Sequence, residues 1–213
     1  MSDNLSHAEP APAAASTVFG DRLELAQAYH DSLATTAAER GFIGPKEVSR
    51  LWSRHILNCA VISEAFSEGQ SIADIGSGAG LPGIPLAIAR PDLSVTLIEP
   101  LLKRSTYLSE VKEELGLDNV TVIRGRAEEQ KKMLFDVVTS RAVAPLGKLA
   151  VWSLPLVRPG GAMVAMKGAS VSEELERDAK VIAKAGGVDA EIFTAGDAVL
   201  EQPTTLIRIT RAG

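Results

Sequence analysis

The sequence predicts an α/β fold: a mostly parallel sheet with helices on both faces and a helical extension at the N-terminus. Three observations carry this. From Ser71 onward, short β-rich apolar runs alternate with helical patterns. The run Ile72-Ala73-Asp74-Ile75 enters a glycine-dense turn, Gly76-Ser77-Gly78-Ala79-Gly80, with an apolar helix behind it. Before Ser71 the apolar spacing is helical only. With 213 residues and 46% hydrophobic content, the chain has material for one buried core, so one domain is expected.

Residues 1–16 are rich in Ala, Pro, Ser and Glu and read as a disordered tail. Residues 17–213 then form a single domain, with 17–70 as the helical extension and 71–213 as the core. Val18 to about Arg40 is an amphipathic helix with Phe19, Leu23, Ala26, Tyr29 and Leu33 on one side. Gly41 and Gly44-Pro45 break it. Glu47 to about Phe66 is a second helix, its stripe running through Val48, Leu51/Trp52, His55/Ile56, Cys59 and Ile62/Phe66. Strand one is Ser71–Ile75, followed by a helix at Pro82–Ala89 that stops near Pro91. Strand two is Ser94–Glu99, and the helix Leu102–Leu115 ends at Gly116. Val120–Arg124 and Phe135–Ser140 are strands three and four, and Leu146–Leu156 is helical. Ala162–Lys167 is strand five, Ser172–Ala185 a helix closed by Gly186-Gly187, and Thr204–Arg211 the last strand.

The net charge of −5 argues mildly against a polyanionic partner without excluding one, since a small basic patch can sit on an acidic protein. The one cysteine, Cys59, has no partner for an internal disulfide and sits in a helical pattern, so it reads as a buried small apolar residue in a reducing compartment. The N-terminus lacks the basic and apolar regions of a signal peptide. No apolar run approaches the ~20 residues of a membrane span. A cytoplasmic protein with no membrane contact is expected. A monomer is the default, because no long exposed apolar stripe is left over.

A strand, a glycine turn and a helix N-terminus make a nucleoside-binding crevice of the Rossmann-like kind. Gly78, Gly80 and Gly83 spell a literal dinucleotide fingerprint, but three features count against a dinucleotide. Gly76 already turns the chain, so Gly78 is displaced from the first fingerprint position. Pro82 and Pro85 at the helix entry remove N–H groups that a pyrophosphate needs. Asp74 aims a carboxylate at the turn, which repels a diphosphate and attracts a cationic sulfonium amino acid. S-adenosylmethionine (SAM) meets these conditions: its methionine carboxylate takes amides of the glycine turn, and Glu99, ending strand two, accepts from both ribose hydroxyls. The fold is then that of a class I SAM-dependent methyltransferase.

The run from Asp74 to Leu86, with Gly-Leu-Pro-Gly-Ile-Pro at its centre, resembles the bacterial 16S ribosomal RNA guanine-N7 methyltransferases, the glucose-inhibited division protein B family. Arg54-His55-Ile56-Leu57, Lys103-Arg104, Ala127-Glu128, Ser140-Arg141-Ala142 and Lys167-Gly168 extend the resemblance over about residues 40–213. The position after Leu57, usually acidic in that family, is Asn58 here. The resemblance implies SAM-dependent methylation of N7 of one guanine in 16S rRNA, on naked RNA or on the small ribosomal subunit. It also implies a donor pocket lined by Gly76 and Leu81, with Ala127 and Glu128 near the adenine and Arg141 at the far edge. Asp74, Gly78, Gly80 and Glu99 complete the expected donor site, and Arg141 is the expected substrate-positioning group.

Guanine N7 carries a lone pair and no proton, so neither a general base nor a metal is expected. Holding the reactants in line can itself supply ~7–11 kcal/mol. Expected RNA contacts are Lys46, Arg50, Arg54, Lys103, Arg104 and Lys167, each competing with a solvated surface charge. His55 is a further RNA candidate, although its place on the apolar stripe reads first as a core histidine. Trp52, Trp152 and Tyr107 read as packing residues. Two other functions stay open: an NAD-dependent oxidoreductase, which lacks a visible hydride-relay residue, and a non-catalytic RNA-binding protein that keeps a nucleotide pocket.

Overall fold

The computed structural model describes residues 9–130 and 132–213. Its centre is a seven-stranded sheet: β1 (Ser71–Ile75), β2 (Ser94–Glu99), β3 (Val120–Arg124), β4 (Phe135–Arg141), β5 (Val157–Met166), β6 (Gly187–Ala195) and β7 (Thr204–Arg211). The strand order is β3-β2-β1-β4-β5-β7-β6. Pairing from β3 to β5 is parallel, and β7 runs antiparallel to both β5 and β6. A six-stranded dinucleotide-binding sheet has order 3-2-1-4-5-6. The reversed strand wedged beside β5 sets this sheet apart.

Both faces are covered. Strand residues alternate between them, so Ile72, Val95, Leu97, Val137 and Val164 join one core and Ala73, Ile75, Ile98, Val138 and Ala165 the other. The first core also takes in the N-terminal helices with α4 (Gly83–Ala89) and α5 (Leu102–Glu114). The second is covered by α6 (Leu146–Ser153) and α7 (Val171–Lys184).

The extension is less regular than its periodicity predicts. α1 (Ala13–Phe19) and α2 (Leu23–Ser32) are separated by a 3-10 turn at Gly20–Arg22, and α2 runs into a π-helical turn at Leu33–Ala37. The second helix is a composite: a 3-10 stretch Pro45–Arg50, a π-helical turn Leu51–Ile56, α3 (Leu57–Ala60) and a 3-10 stretch Val61–Ala65. The expected tail of 1–16 is corrected for its last residues: α1 starts at Ala13, and Ala15 is buried against the core. Ala14 packs partly against the same core. The Glu9 carboxylate accepts the Trp52 and Ser53 amides at 2.9 and 3.2 Å. Residues 1–8 lie outside the described residues. β6 is an addition to the expected strands, and β5 begins at Val157, ahead of its Pro-Gly-Gly. Among the described residues no helix is long and apolar enough to cross a membrane.

Candidate functional site

The glycine turn lies at the C-terminal end of β1, where the parallel strands open a crevice. Gly76, Gly78 and Gly80 all have positive φ, at 67°, 61° and 101°. These are left-handed conformations that glycine enters without a Cβ penalty. A cavity of about 510 Å3 opens beside the turn, against Gly76, Ser77, Gly78, Leu81, Glu99 and Arg141, with Phe42, Ile43, Leu101 and Val143 supplying apolar walls. A second cavity, about 630 Å3, sits at the ends of β4, β5 and β7, lined by Arg54, Asn58, Ser140, Met166, Lys167 and Thr204 among others. The two share Arg141, Ala142 and Val143. Ala142 takes a φ of 52°, which is strained for a residue with a side chain. Next to it, the Val143 side chain closes over Gly76, where an added Cβ would come within 3.0 Å.

Glu99 is 2% exposed and forms a polar floor to the first cavity. One carboxylate oxygen accepts the Gly78 amide at 2.9 Å and the other the Leu101 amide at 2.9 Å. A carboxylate offers about four lone-pair sites. Two remain, which suits a vicinal diol.

Asp74 is corrected. It is fully buried and lines neither cavity, because alternation along β1 turns it toward α4. Its carboxylate accepts the Gly83 amide at 3.0 Å and leaves its other oxygen without a partner. Burial pushes its pKa up to about 7, against the opposing pull of the Gly83 N–H and of the Arg141 charge.

The turn also spends the amides expected to hold the donor's carboxylate. Gly76 and Ser77 donate to Ile98, Gly80 and Leu81 donate to Ser77, and Ile84 donates to Gly80. The helix entry therefore offers little to a phosphate, a structural argument against a dinucleotide. The cations bordering the first cavity are Arg104 and Arg141.

Other expected site residues divide as follows. Gly76, Gly78, Leu81, Glu99 and Arg141 come together at the first cavity, and Gly80 does not line it. Gly80 packs under the turn, where an added Cβ would come within 2.6 Å of Ile84. Ala127 and Glu128 form a 3-10 turn after β3 that the cavity does not reach. Arg50 and Arg54 line a third groove of about 660 Å3, which continues the second cavity through Arg54, Asn58, Gln202 and Pro203. Arg104 lies over the Phe42 ring. Lys103 and Lys46 are exposed. Lys167 is paired with Glu174 at 2.7 Å and is mostly covered, so it is no free phosphate contact. Trp52 and Tyr107 are buried packing residues, whereas Trp152 is only partly covered, under Lys148.

His55 is a largely covered histidine with both ring nitrogens satisfied, as its place on the stripe reads first, and it is not a free RNA contact, since it bridges Arg141 at 2.7 Å and Glu47 at 2.6 Å. Tyr29 is a residue that apolar spacing hides. Its buried hydroxyl donates to the Ala79 carbonyl at 2.8 Å and pins the glycine turn from the extension. No motif announces that role.

A family model described as rRNA small subunit methyltransferase G matches residues 22–202. Ribosomal RNA small subunit methyltransferase G of Corynebacterium glutamicum (strain R) is 72% identical over 204 residues, covering 94% of this chain and 92% of that protein. Its counterpart in Rhodococcus jostii is 56% identical over 203 residues, covering 93% and 89%. Among solved structures, M. jannaschii TYW2 in complex with AdoMet matches with TM-score 0.58 and 20% identity, covering 75% of this chain and 77% of that one. The SAM-dependent methyltransferase SibL in its apo form matches with TM-score 0.60 and 18% identity, covering 92% and 74%. These two are likenesses of fold.

Proposed function

The chain belongs to the rRNA small subunit methyltransferase G family, and from that we propose that its two joined cavities hold a methyl donor and a target guanine on either side of one wall. It is a SAM-dependent methyltransferase of 16S rRNA. The observation that carries the finer reading is the shared segment Arg141-Ala142-Val143. One cavity has a buried diol-binding carboxylate, Glu99, and the other is open enough for a nucleobase.

When bound, SAM supplies an electrophilic methyl group on a sulfonium. The chain's residues do the rest by placement. Glu99 takes the ribose hydroxyls, and Leu81, Leu101 and Ile43 give the adenine apolar surface. Arg141, bordering both cavities, positions the base. We read guanine N7 as the acceptor. It has no proton to lose, so no residue is asked to act as a base, and orientation with exclusion of water is the catalytic contribution. Flanking RNA runs over Arg54 and Arg50, which line the groove leading away from the base cavity. The enzyme works in the cytoplasm as a monomer.

The test is mass spectrometry of 16S rRNA from cells lacking the gene. One N7-methylguanosine should be missing and should return with the wild-type gene but not with Arg141→Ala. An unchanged guanine complement, or loss of a methyl group on another atom, overturns the reading.

A further inference from the structure

Arg141 reaches back from the sheet to the extension, and its contacts there fix the chemistry of its neighbour. An Nη2 of Arg141 lies 2.7 Å from His55 Nδ1. Guanidinium only donates. His55 Nδ1 must therefore be the bare, accepting nitrogen, and the ring proton sits on Nε2. That proton points at the Glu47 carboxylate, 2.6 Å away. Glu47, His55 and Arg141 thus form one directional chain from the Pro45–Arg50 segment through the π-helical turn to the end of β4. Nη1 of Arg141 is near the Arg54 carbonyl at 3.5 Å and Cys59 Sγ at 3.8 Å.

We propose that His55 is a positioning residue for methyl transfer: as a neutral imidazole oriented by Glu47, it holds the Arg141 guanidinium at the wall between the donor and base cavities. The inference rests on the reading of that wall given above. It follows that a second proton on His55 breaks the arrangement, because an N–H at Nδ1 would face another donor and another positive charge. The charged and titratable groups around the pair are Glu47, Arg50 and Arg54 from the extension and Arg141 from β4, with Tyr29, Cys59 and Asp74 around Arg141. The balance favours the neutral ring: burial and the Arg141 charge pull the His55 pKa below its ordinary 6.5, and the Glu47 hydrogen bond opposes them. Positioning is complete at neutral pH and is lost as pH falls through that lowered value.

Two substitutions separate the ring's two nitrogens. His55→Asn places an amide oxygen where Nδ1 was and keeps the acceptor for Arg141. His55→Gln places its amide near Nε2 and keeps only the Glu47 end. We expect turnover of His55→Gln to fall below that of His55→Asn by about tenfold, the scale of one charge-assisted hydrogen bond. His55→Asn should also lose the acid limb of the pH–rate profile, and Glu47→Gln should move that limb to lower pH. Independently of activity, 15N imidazole spectra of the unliganded wild type should show an Nε2–H tautomer titrating below 6.5, rising on Arg141→Ala. Equal turnover in the two His55 variants, an Nδ1–H tautomer, or a His55 titration indifferent to Arg141→Ala overturns the proposal. If Arg141→Ala itself leaves turnover intact, the reading of the wall fails instead.

Discussion

Glu99 and Asp74 are both acids at strand ends, and the structure gives them opposite tasks. Glu99 faces the first cavity with two lone-pair sites unused. Glu99→Ala should weaken S-adenosylhomocysteine binding by about 1.5–3 kcal/mol, the worth of hydrogen bonds to a charged group. Calorimetric titration checks this, and unaltered affinity would place the ribose elsewhere. Asp74 faces α4, and burial lifts its pKa from an ordinary 3.8 to about 7. The native chain therefore keeps a proton that the unfolded chain has released. Stability from this source is full below the unfolded value and is lost as pH rises through about 7. Asp74→Asn retains an acceptor for the Gly83 amide and cannot ionise. The melting temperature of Asp74→Asn minus that of the wild type should grow between roughly pH 5 and pH 8. A constant difference across that range would show that Asp74 does not ionise there.

At the scale of elements, the glycine turn divides into a packed part and a cavity-facing part. A Cβ on Gly83 would lie 2.2 Å from Leu97 and 2.9 Å from the Asp74 carboxylate, so Gly83 sets how closely α4 approaches the sheet. A Cβ on Gly78 would meet only the Gly76 carbonyl oxygen, at an ordinary contact distance of 3.9 Å, and Gly78 has a φ of 61°. Gly83→Ala should cost about 1–3 kcal/mol of stability through overpacking. Gly78→Ala should cost about 1–2 kcal/mol, from the left-handed backbone alone, and should weaken donor binding more. Chemical denaturation and calorimetry of both variants read the two orders, and identical orders would remove the distinction. The extension adds a further division. Its π-helical turn Leu51–Ile56 carries Arg54 and His55 to the end of β4, and π-helical segments often mark functional positions. Tyr29 ties the neighbouring helix to the turn. What reads as an N-terminal addition therefore helps form the cavities and hold the turn.

For the whole molecule, the sheet was largely legible because strands β1 to β4 are apolar runs closed by glycine, proline or charge, and Thr204–Arg211 is strongly β in composition. β6 was not, because it is an edge strand, exposed through most of its length and carrying Asp189 and Glu191, so its sequence shows no clean alternation. Strand order was equally hidden, since nothing local encodes the placement of β7 between β5 and β6. That Gly76, Gly78, Glu99 and Arg141 gather at one cavity was readable because they end strands or form the turn. Asp74 misled because its burial face depends on β1 alternation, which a five-residue strand states weakly. The tie of His55 to Arg141 was hidden because contact across 86 residues has no local signature. The two cavities meet at Arg141-Ala142-Val143. A crystal grown with S-adenosylhomocysteine tests the assignment of donor and base to them most directly. The ribose should sit on Glu99 and the sulfur should face the 141–143 wall, toward the second cavity. A ligand bound with its sulfur turned away from that wall, or bound elsewhere on the protein, would contradict it.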